Sequence, residues 1–239
     1  MLKFKILSYS LLLFTFISQY GFAQSPEKEL VKADSLYQKK QYISAIKIYN
    51  KIYESGNASP SMLLKLARIE EGMGNPGKSF YYLEKYYQLT KDEIALDYLK
   101  ENTEEENIAG FNYGFAYKLD LLYKEWKIYI QLLASILTFL FIGLMIKNRE
   151  DSSKKKNYFA ASILPIIILI FLTNYEGRNE AIITNNPSYL LEGPSSGANL
   201  VEQLKSPAKV KLKSEIDVWS KIIYDDKVAY IKSSQIKKL

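Results

Sequence analysis

The sequence predicts a multidomain membrane protein: an α-helical repeat domain, two transmembrane helices and a small C-terminal all-β barrel. Three observations carry this expectation. The chain resembles itself at an offset of 34 residues in its first half, the signature of stacked supersecondary units. Two charge-free apolar runs follow, Ile128 to Ile146 and Tyr158 to Thr173, as bilayer spans require. Beyond them, short alternating apolar and polar runs are separated by Gly, Pro, Asn and Asp, the pattern of short strands and tight turns.

At the 34-residue offset Leu30 lies over Leu64, Ala33 over Ala67, Ala45 over Ser79, Ile46 over Phe80, Tyr49 over Leu83, Ile52 over Tyr86 and Tyr53 over Tyr87. Small residues at fixed points with aliphatic and aromatic residues between them resemble the tetratricopeptide repeat, whose small side chains let paired helices approach closely. The resemblance implies repeats over residues 24–107, with Ala33 and Ala67 the small positions of the first helices and Ala45 and Ser79 those of the second. A third copy starts at Asp92 and runs into the acidic ENTEEEN, which is consistent with a capping helix. In that family the first helices line the concave face. This implies a partner groove at Asp34, Tyr37 and Gln38, and at Arg68 and Glu71 in the next repeat. Tyr37 fits a groove contact and packing against the neighbouring helix equally well.

Residues 72–79, GMGNPGKS, spell the G-x-x-x-x-G-K-[ST] pattern of a phosphate-binding loop. That loop needs a buried strand running into it. The preceding SPSMLLKLARIEE has helical spacing and no β-branched run, so the glycines read as the turn between two helices, Gly74-Asn75-Pro76 lying over Lys40-Gln41-Tyr42. Lys78 is then a solvent-facing helix residue.

The chain has no Cys and no His, which removes disulfides, thiolate nucleophiles, lipoprotein attachment, Cys-based metal sites and the commonest general base together. A non-enzymatic protein without cofactors is expected. The formal net charge of +6 is not a nucleic-acid surface. Residues 24–126 hold 14 basic against 16 acidic residues, and residues 175–239 hold 10 against 8. The excess sits at Lys3, Lys5 and Lys127 and between Lys147 and Asn157, at the flanks of apolar segments.

Residues 1–23, with Lys3 and Lys5 before the apolar stretch Ile6 to Ile17 and the small residues Gly21 and Ala23 before a cut, have the pattern of a signal peptide. The spans are assigned to 127–146 and 158–174, the second interrupted by Pro165. The basic segment 147–157 between them faces the cytoplasm by the positive-inside rule. Both flanking domains then lie on the outer side, in the inner membrane of a bacterial envelope. Residues 108–126 carry Phe111, Phe115, Leu119, Leu122, Tyr123 and Trp126 at helical spacing. Two placements fit this juxtamembrane helix: completing the repeat stack, or lying at the membrane surface.

Residues 175–239 are expected to hold five strands. Lys209, Lys211 and Lys213 alternate with Val210 and Leu212, and Asp225-Asp226 marks a hairpin turn. The details resemble a bacterial SH3-like domain: Ala181 to Thr184 as first strand, EGPSS after Tyr189, Trp219 opening the strand VWSKI, and Ala229-Tyr230 where that family has glycine and tryptophan. The resemblance implies Tyr189, Trp219 and Tyr230 as ligand candidates, with barrel core the competing role for Trp219 and Tyr230.

The order of modules resembles the membrane protein E family of the bacterial Bat aerotolerance operon (BatE-like proteins). That resemblance implies a scaffold working with von Willebrand A-domain membrane proteins and a MoxR-type ATPase in aerotolerance or oxidative stress. A cell-wall sensor reading peptidoglycan peptides through the SH3-like domain is the alternative.

Overall fold

The computed structural model describes residues 26–105, 107–175, 177–205 and 207–239; the signal-peptide segment and Ser206 lie outside them. The chain divides into two units, the first ending at Ile69 and the second running from Glu70 to Leu239. Helices α1 (Pro26–Gln38), α2 (Tyr42–Glu54), α3 (Pro60–Gly72), α4 (Pro76–Thr90) and α5 (Glu93–Glu105) come first in the chain. They are followed by two long helices, α6 (Phe115–Lys147) and α7 (Ser152–Asn174).

The 34-residue period is written into the backbone. The α1–α2 turn is closed by Lys40 N–H donating to Tyr37 O and Gln41 N–H to Leu36 O, and the α3–α4 turn by Gly74 N–H to Glu71 O and Asn75 N–H to Glu70 O. Lys40 and Gly74, one period apart, both take the left-handed conformation, at φ 58° and 73°. GMGNPGKS is therefore the second copy of a helix–helix turn, entered from a helix. Pro76 occupies the first turn of α4, where its missing N–H costs nothing. All four small repeat positions, Ala33, Ala45, Ala67 and Ser79, are buried. In the first unit α1 packs on α2, with Ala33, Ala45 and Tyr49 fully buried.

In the second unit α4 is buried over six consecutive residues, Ser79 to Glu84. One amphipathic stripe cannot produce that run. It arises because α5 packs on one side and strand β1 on another. Gly77 permits the second contact: a Cβ there would meet Ile183 O and Thr184 Cα at 2.8 Å, both backbone atoms. Helix α5 follows, N-capped by Asp92, whose Oδ1 accepts from Ile94 N–H at 3.0 Å. Ala95, Leu96, Leu99 and Thr103 face inward, and Ile94 is 82% exposed on the other face.

Residues 115–126 are the opening turns of α6, continuous with the apolar run over 33 residues, about 50 Å at 1.5 Å per residue. Tyr117, Asp120 and Leu121 are buried, and Tyr117 stacks on Tyr87 of α4 at 6.1 Å. The stretch meets α4 through Tyr117 and leads into the first apolar segment. Helices α6 and α7 pack together as a hairpin, and both are long and apolar enough to cross a membrane. Among α7 residues, Pro165 is one of those turned inward.

The connection between these helices is shorter than the sequence suggests. Asp151 accepts from Ser153 and Lys154 N–H, both at 3.1 Å. This cap starts α7 at Ser152, so Lys154, Lys155 and Lys156 stand on its first turns rather than in a loop.

The C-terminal region is one antiparallel sheet of seven strands, in the order β3-β2-β6-β5-β4-β1-β7. They are β1 (Glu180–Ile183), β2 (Ser188–Leu191), β3 (Leu200–Leu204), β4 (Ala208–Ile216), β5 (Trp219–Tyr224), β6 (Lys227–Lys232) and β7 (Ile236–Lys238). Five strands were expected. β3 escapes a burial pattern because only Leu204 of its five residues is buried, and a short 3-10 turn at Ser233–Gln235 separates β7 from β6. Asp225 and Asp226, at φ 46° and 57°, form the two-residue turn of the β5–β6 hairpin, which positive φ at both positions suits. The sheet core gathers Ala181, Ile183, Leu190, Val210, Ile222 and Ile231, among others.

Gly77→Ala forces backbone against backbone and is expected to lower stability by about 1–3 kcal/mol. Lys78→Ala, one residue on, should change it by less than about 1 kcal/mol, the usual worth of a partly exposed ion pair. Thermal unfolding of the two variants in the same detergent checks the contrast.

Candidate functional site

Glu84 has no solvent exposure and Lys209 almost none, yet they sit 125 residues apart in the chain and 3.0 Å apart in space. Glu84 comes from the middle of α4 and Lys209 from β4. The Glu84 carboxylate also accepts from Tyr113 Oη at 2.8 Å and Tyr117 Oη at 2.5 Å. Lys209 reaches Glu180 of β1 at 3.3 Å. Its ammonium lies 5.8, 5.3 and 4.7 Å from the ring centres of Phe111, Tyr113 and Tyr117, a three-sided aromatic cage. Burial first, and then the Glu84 charge, push the Tyr113 and Tyr117 hydroxyls far above the ordinary tyrosine range. They remain donors at any physiological pH.

The expected outward alternation of Lys209, Lys211 and Lys213 holds for the last two and fails for the first. Residues 108–117 cover the outer face of β4 at that point. Lys209 N–H donates to Ala109 O at 3.0 Å, and a Cβ on Gly110 would stand 1.8 Å from Lys209 O. Gly110 is thus required by close backbone approach as well as by its φ of 84°. Lys237 of β7 repeats the theme, 5.2 Å from the Tyr81 ring and 5.6 Å from that of Tyr82. Sequence reasoning missed Glu84, Tyr113, Tyr117 and Lys209. The available signal was Glu84 itself, a carboxylate in the aromatic run FYYLEKYY.

The helix candidates separate. In the first unit Asp34 accepts from Tyr49 Oη at 2.5 Å and Lys65 Nζ at 2.7 Å. Lys65 also stands 5.8 Å over the Tyr37 ring, and Tyr37 meets Tyr42 edge-on at 5.4 Å. Asp34 and Tyr37 thus share one polar–aromatic cluster and are half-buried, while Gln38 and Arg68 are exposed. Glu71 belongs to the second unit, where it accepts from Tyr98 Oη at 2.6 Å.

On the sheet, Tyr189 and Trp219 come together in a shallow groove of about 390 Å³, with Leu191, Ser196, Leu200 and Lys232 along it. Tyr189 is 46% exposed and Trp219 7%, so Tyr189 forms a wall and Trp219 the floor. Tyr230 is not in the groove; Lys221 lies 5.9 Å over its ring.

The GMGNPGKS turn borders a cavity of about 370 Å³ that also touches Thr184, Asn185 and Asn186. Its lining carries no carboxylate to hold a Mg²⁺ ion. Lys78 is half-exposed on its helix and lies 3.9 Å from the buried Glu70. Among the described residues no cluster of three potential metal ligands occurs.

Lys85, beside Glu84 on α4, lacks a carboxylate partner among the described residues. Desolvation, then the Lys124 charge, push its amine down to about 8, with Glu84 opposing weakly. Compared with known proteins, the chain matches no family model and no curated sequence.

Two outcomes follow from this geometry. Lys209→Met should cost about 3–5 kcal/mol, since it leaves a buried carboxylate unpaired. Adding Glu84→Gln, which still accepts from the tyrosines, should recover part of that loss through a coupling of about 0.5–3 kcal/mol. A denaturation cycle on the four proteins measures it. For Lys85, the folded chain releases its proton near pH 8 and the unfolded chain near 10.5. Between those values the unfolded state binds more protons, so stability rises with pH there, and below pH 8 the full penalty applies. Lys85→Met should therefore be more stable than the parent at pH 7 in neutral detergent, with the difference shrinking as pH rises from 8 toward 10.5.

Proposed function

We propose that the protein is a non-enzymatic, membrane-anchored scaffold of the bacterial envelope that gathers partner proteins on tetratricopeptide-like repeats and an SH3-like sheet. The observation that carries this reading is the buried Glu84–Lys209 attachment. It holds α4 and the sheet together at one end of the α6–α7 hairpin, the end where Tyr123 Oη donates to Tyr175 O at 2.8 Å. The basic cluster Lys154 to Lys156 stands at the other end. With the positive-inside rule, this supports a reading in which the sheet lies outside an inner membrane and the lysine cluster faces the cytoplasm. The buried polar groups are spent on one another, the pattern of a structural clasp rather than a reacting centre.

By the resemblance of module order to the Bat aerotolerance proteins, the partners are von Willebrand A-domain membrane proteins and a MoxR-type ATPase system, in oxidative stress. A second reading rests on the groove between Tyr189 and Trp219. An aromatic wall with Leu191 and Leu200 beside Lys232 suits a short peptide with an acidic group, such as a peptidoglycan stem peptide.

Two full-length variants separate these readings. Tyr37→Ala with Arg68→Ala should reduce co-purification of membrane partners while the helical circular dichroism is retained; Tyr189→Ala with Leu200→Ala should leave it unchanged. If instead only the second pair matters, and it abolishes co-sedimentation of the detergent-solubilised protein with isolated cell wall, the sensor reading replaces the scaffold. A cytoplasm-specific reporter fused after Leu239 should be silent; activity there overturns the topology.

A further inference from the structure

Helix α6 is longer than a bilayer needs. Its charge-free run opens at Ile128, and Phe115 stands 13 residues before it, about 20 Å along the axis at 1.5 Å per residue. Headgroups extend only about 5–8 Å beyond the hydrocarbon, so lipid does not reach the first turns of the helix. An apolar stripe nevertheless runs through them. Phe115, Leu119, Leu122 and Trp126 are 79%, 48%, 54% and 52% exposed. Tyr129, Leu133, Ile136 and Leu140 continue the stripe, all exposed, with the same alternation of four and three residues.

These are the a and d positions of a heptad repeat, with Leu119 and Trp126 at a and Phe115 and Leu122 at d. Beyond Ile128 nearly every residue is apolar and the spacing says little. Before it the spacing is selective, because Lys118, Asp120, Lys124, Glu125 and Lys127 fill positions between. The large apolar residues off the stripe are already used: Tyr117 and Leu121 are buried, and Tyr123 meets Tyr175 edge-on at 4.9 Å. Tyr117, Asp120 and Leu121, at f, b and c, are the buried positions of the opening turns. Tyr123 and Lys127, at e and b, both donate to Tyr175 O just after α7, and Ala134, again at b, is buried. The rest of the second unit therefore occupies one side of α6 and leaves a, d and g open.

We propose that this stripe is the seam of a parallel α6–α6 pair joining two copies of this chain. The pairing rests on the membrane-spanning reading of α6. Insertion gives every copy the same orientation and sets Ile128 of each at the same depth, so the stripe meets itself in register. A sustained 3.5-residue period suits a left-handed coil of two such helices. No charge interrupts the seam from Phe115 to Leu140. Beside it, Lys118 is compensated by Glu93 of α5 at 3.5 Å, and Glu125, at g, faces the e position of a parallel copy, which is Ile130 and not a second acid. The seam side chains, each about half exposed or more, offer on the order of 100 Å² apiece and about 800 Å² per copy, the share that a stable complex buries. Phe115, Leu119 and Leu122 add a hydrophobic drive that helices surrounded by lipid lack.

The chain has no cysteine, so single cysteines report the seam directly. In full-length protein reconstituted into phosphatidylcholine vesicles and treated with copper phenanthroline, Leu119→Cys and Leu122→Cys should form disulfide-linked dimers. Lys124→Cys, on the face turned to Asp120, should not. The seam disulfides should persist on about tenfold dilution with lipid, where chance encounters decline by mass action. In detergent, light scattering should find the parent dimeric and Leu119→Glu with Leu122→Glu monomeric, with helical circular dichroism retained; if the glutamate protein does not fold, Leu119→Gln with Leu122→Gln takes its place. A monomeric parent overturns the pairing, as does cross-linking that is equal at Lys124→Cys or that vanishes on dilution. Capture of a different protein by Leu119→Cys in native membranes, in place of a second copy, overturns it too. Leu133→Cys added to the monomeric variant should resist a membrane-impermeant maleimide. Labelling there sinks the membrane-spanning reading itself, whereas protection there without seam disulfides sinks the pair alone.

Discussion

The second unit depends on one buried charge pair. Removing Glu84 and Lys209 from water costs several kcal/mol per ion, and their mutual attraction offsets this only where the remaining lone pairs and protons are satisfied. Here they are. The carboxylate has two tyrosine hydroxyls besides the lysine. The ammonium has a second carboxylate at 3.3 Å and three aromatic faces. Such a pair adds little to stability compared with an apolar filling of the same shape. What it adds is specificity, because any other docking of sheet on helix strands a charge in an apolar space. It selects the single arrangement in which α4, β1, β4 and the 108–117 segment all meet.

That arrangement explains several local choices. Gly77 and Gly110 lack side chains where β1 and β4 backbones come close. Ala181, Ile182 and Ile183 are all fully buried, although β1 alternates like any strand: Ala181 and Ile183 belong to the sheet core, and Ile182 points the other way, toward the covered face. Lys237 closes over Tyr81 and Tyr82 at the far edge. The sheet is therefore no tethered module on a flexible stem. Whatever binds it does so with α4 already in place.

Helix α6 links this assembly to the apolar hairpin without a break. Tyr117 and Asp120 lie in its opening turns, one bonded to Glu84 and the other to the Arg178 backbone just before β1. Gly177, at φ 77°, bends the chain beside Asp120, where a Cβ would come within 2.9 Å of the carboxylate.

The sequence by itself determined most of the elements. The 34-residue period, Pro at the first turns of α3 and α4, the two apolar runs and the Asp225-Asp226 hairpin are local patterns, and local backbone sterics and hydrophobicity are enough to read them. Tyr189 and Trp219, singled out from the sequence, line one groove on the sheet. The tertiary structure alone decided the rest. Lys209 sits in a strand whose alternation points it outward, and it is buried only because a segment a hundred residues earlier covers it. The sequence offers Asp34 as a groove position and Tyr37 as groove contact or helix packing alike; only the structure shows Tyr49 and Lys65 bonded to Asp34 and Lys65 over the Tyr37 ring. Seven strands replace five because exposed β3 gives no burial signal and a short turn at Ser233–Gln235 splits β7 from β6. In each case a residue's partner, not its own periodicity, sets its environment, and a partner distant in sequence leaves no periodic trace.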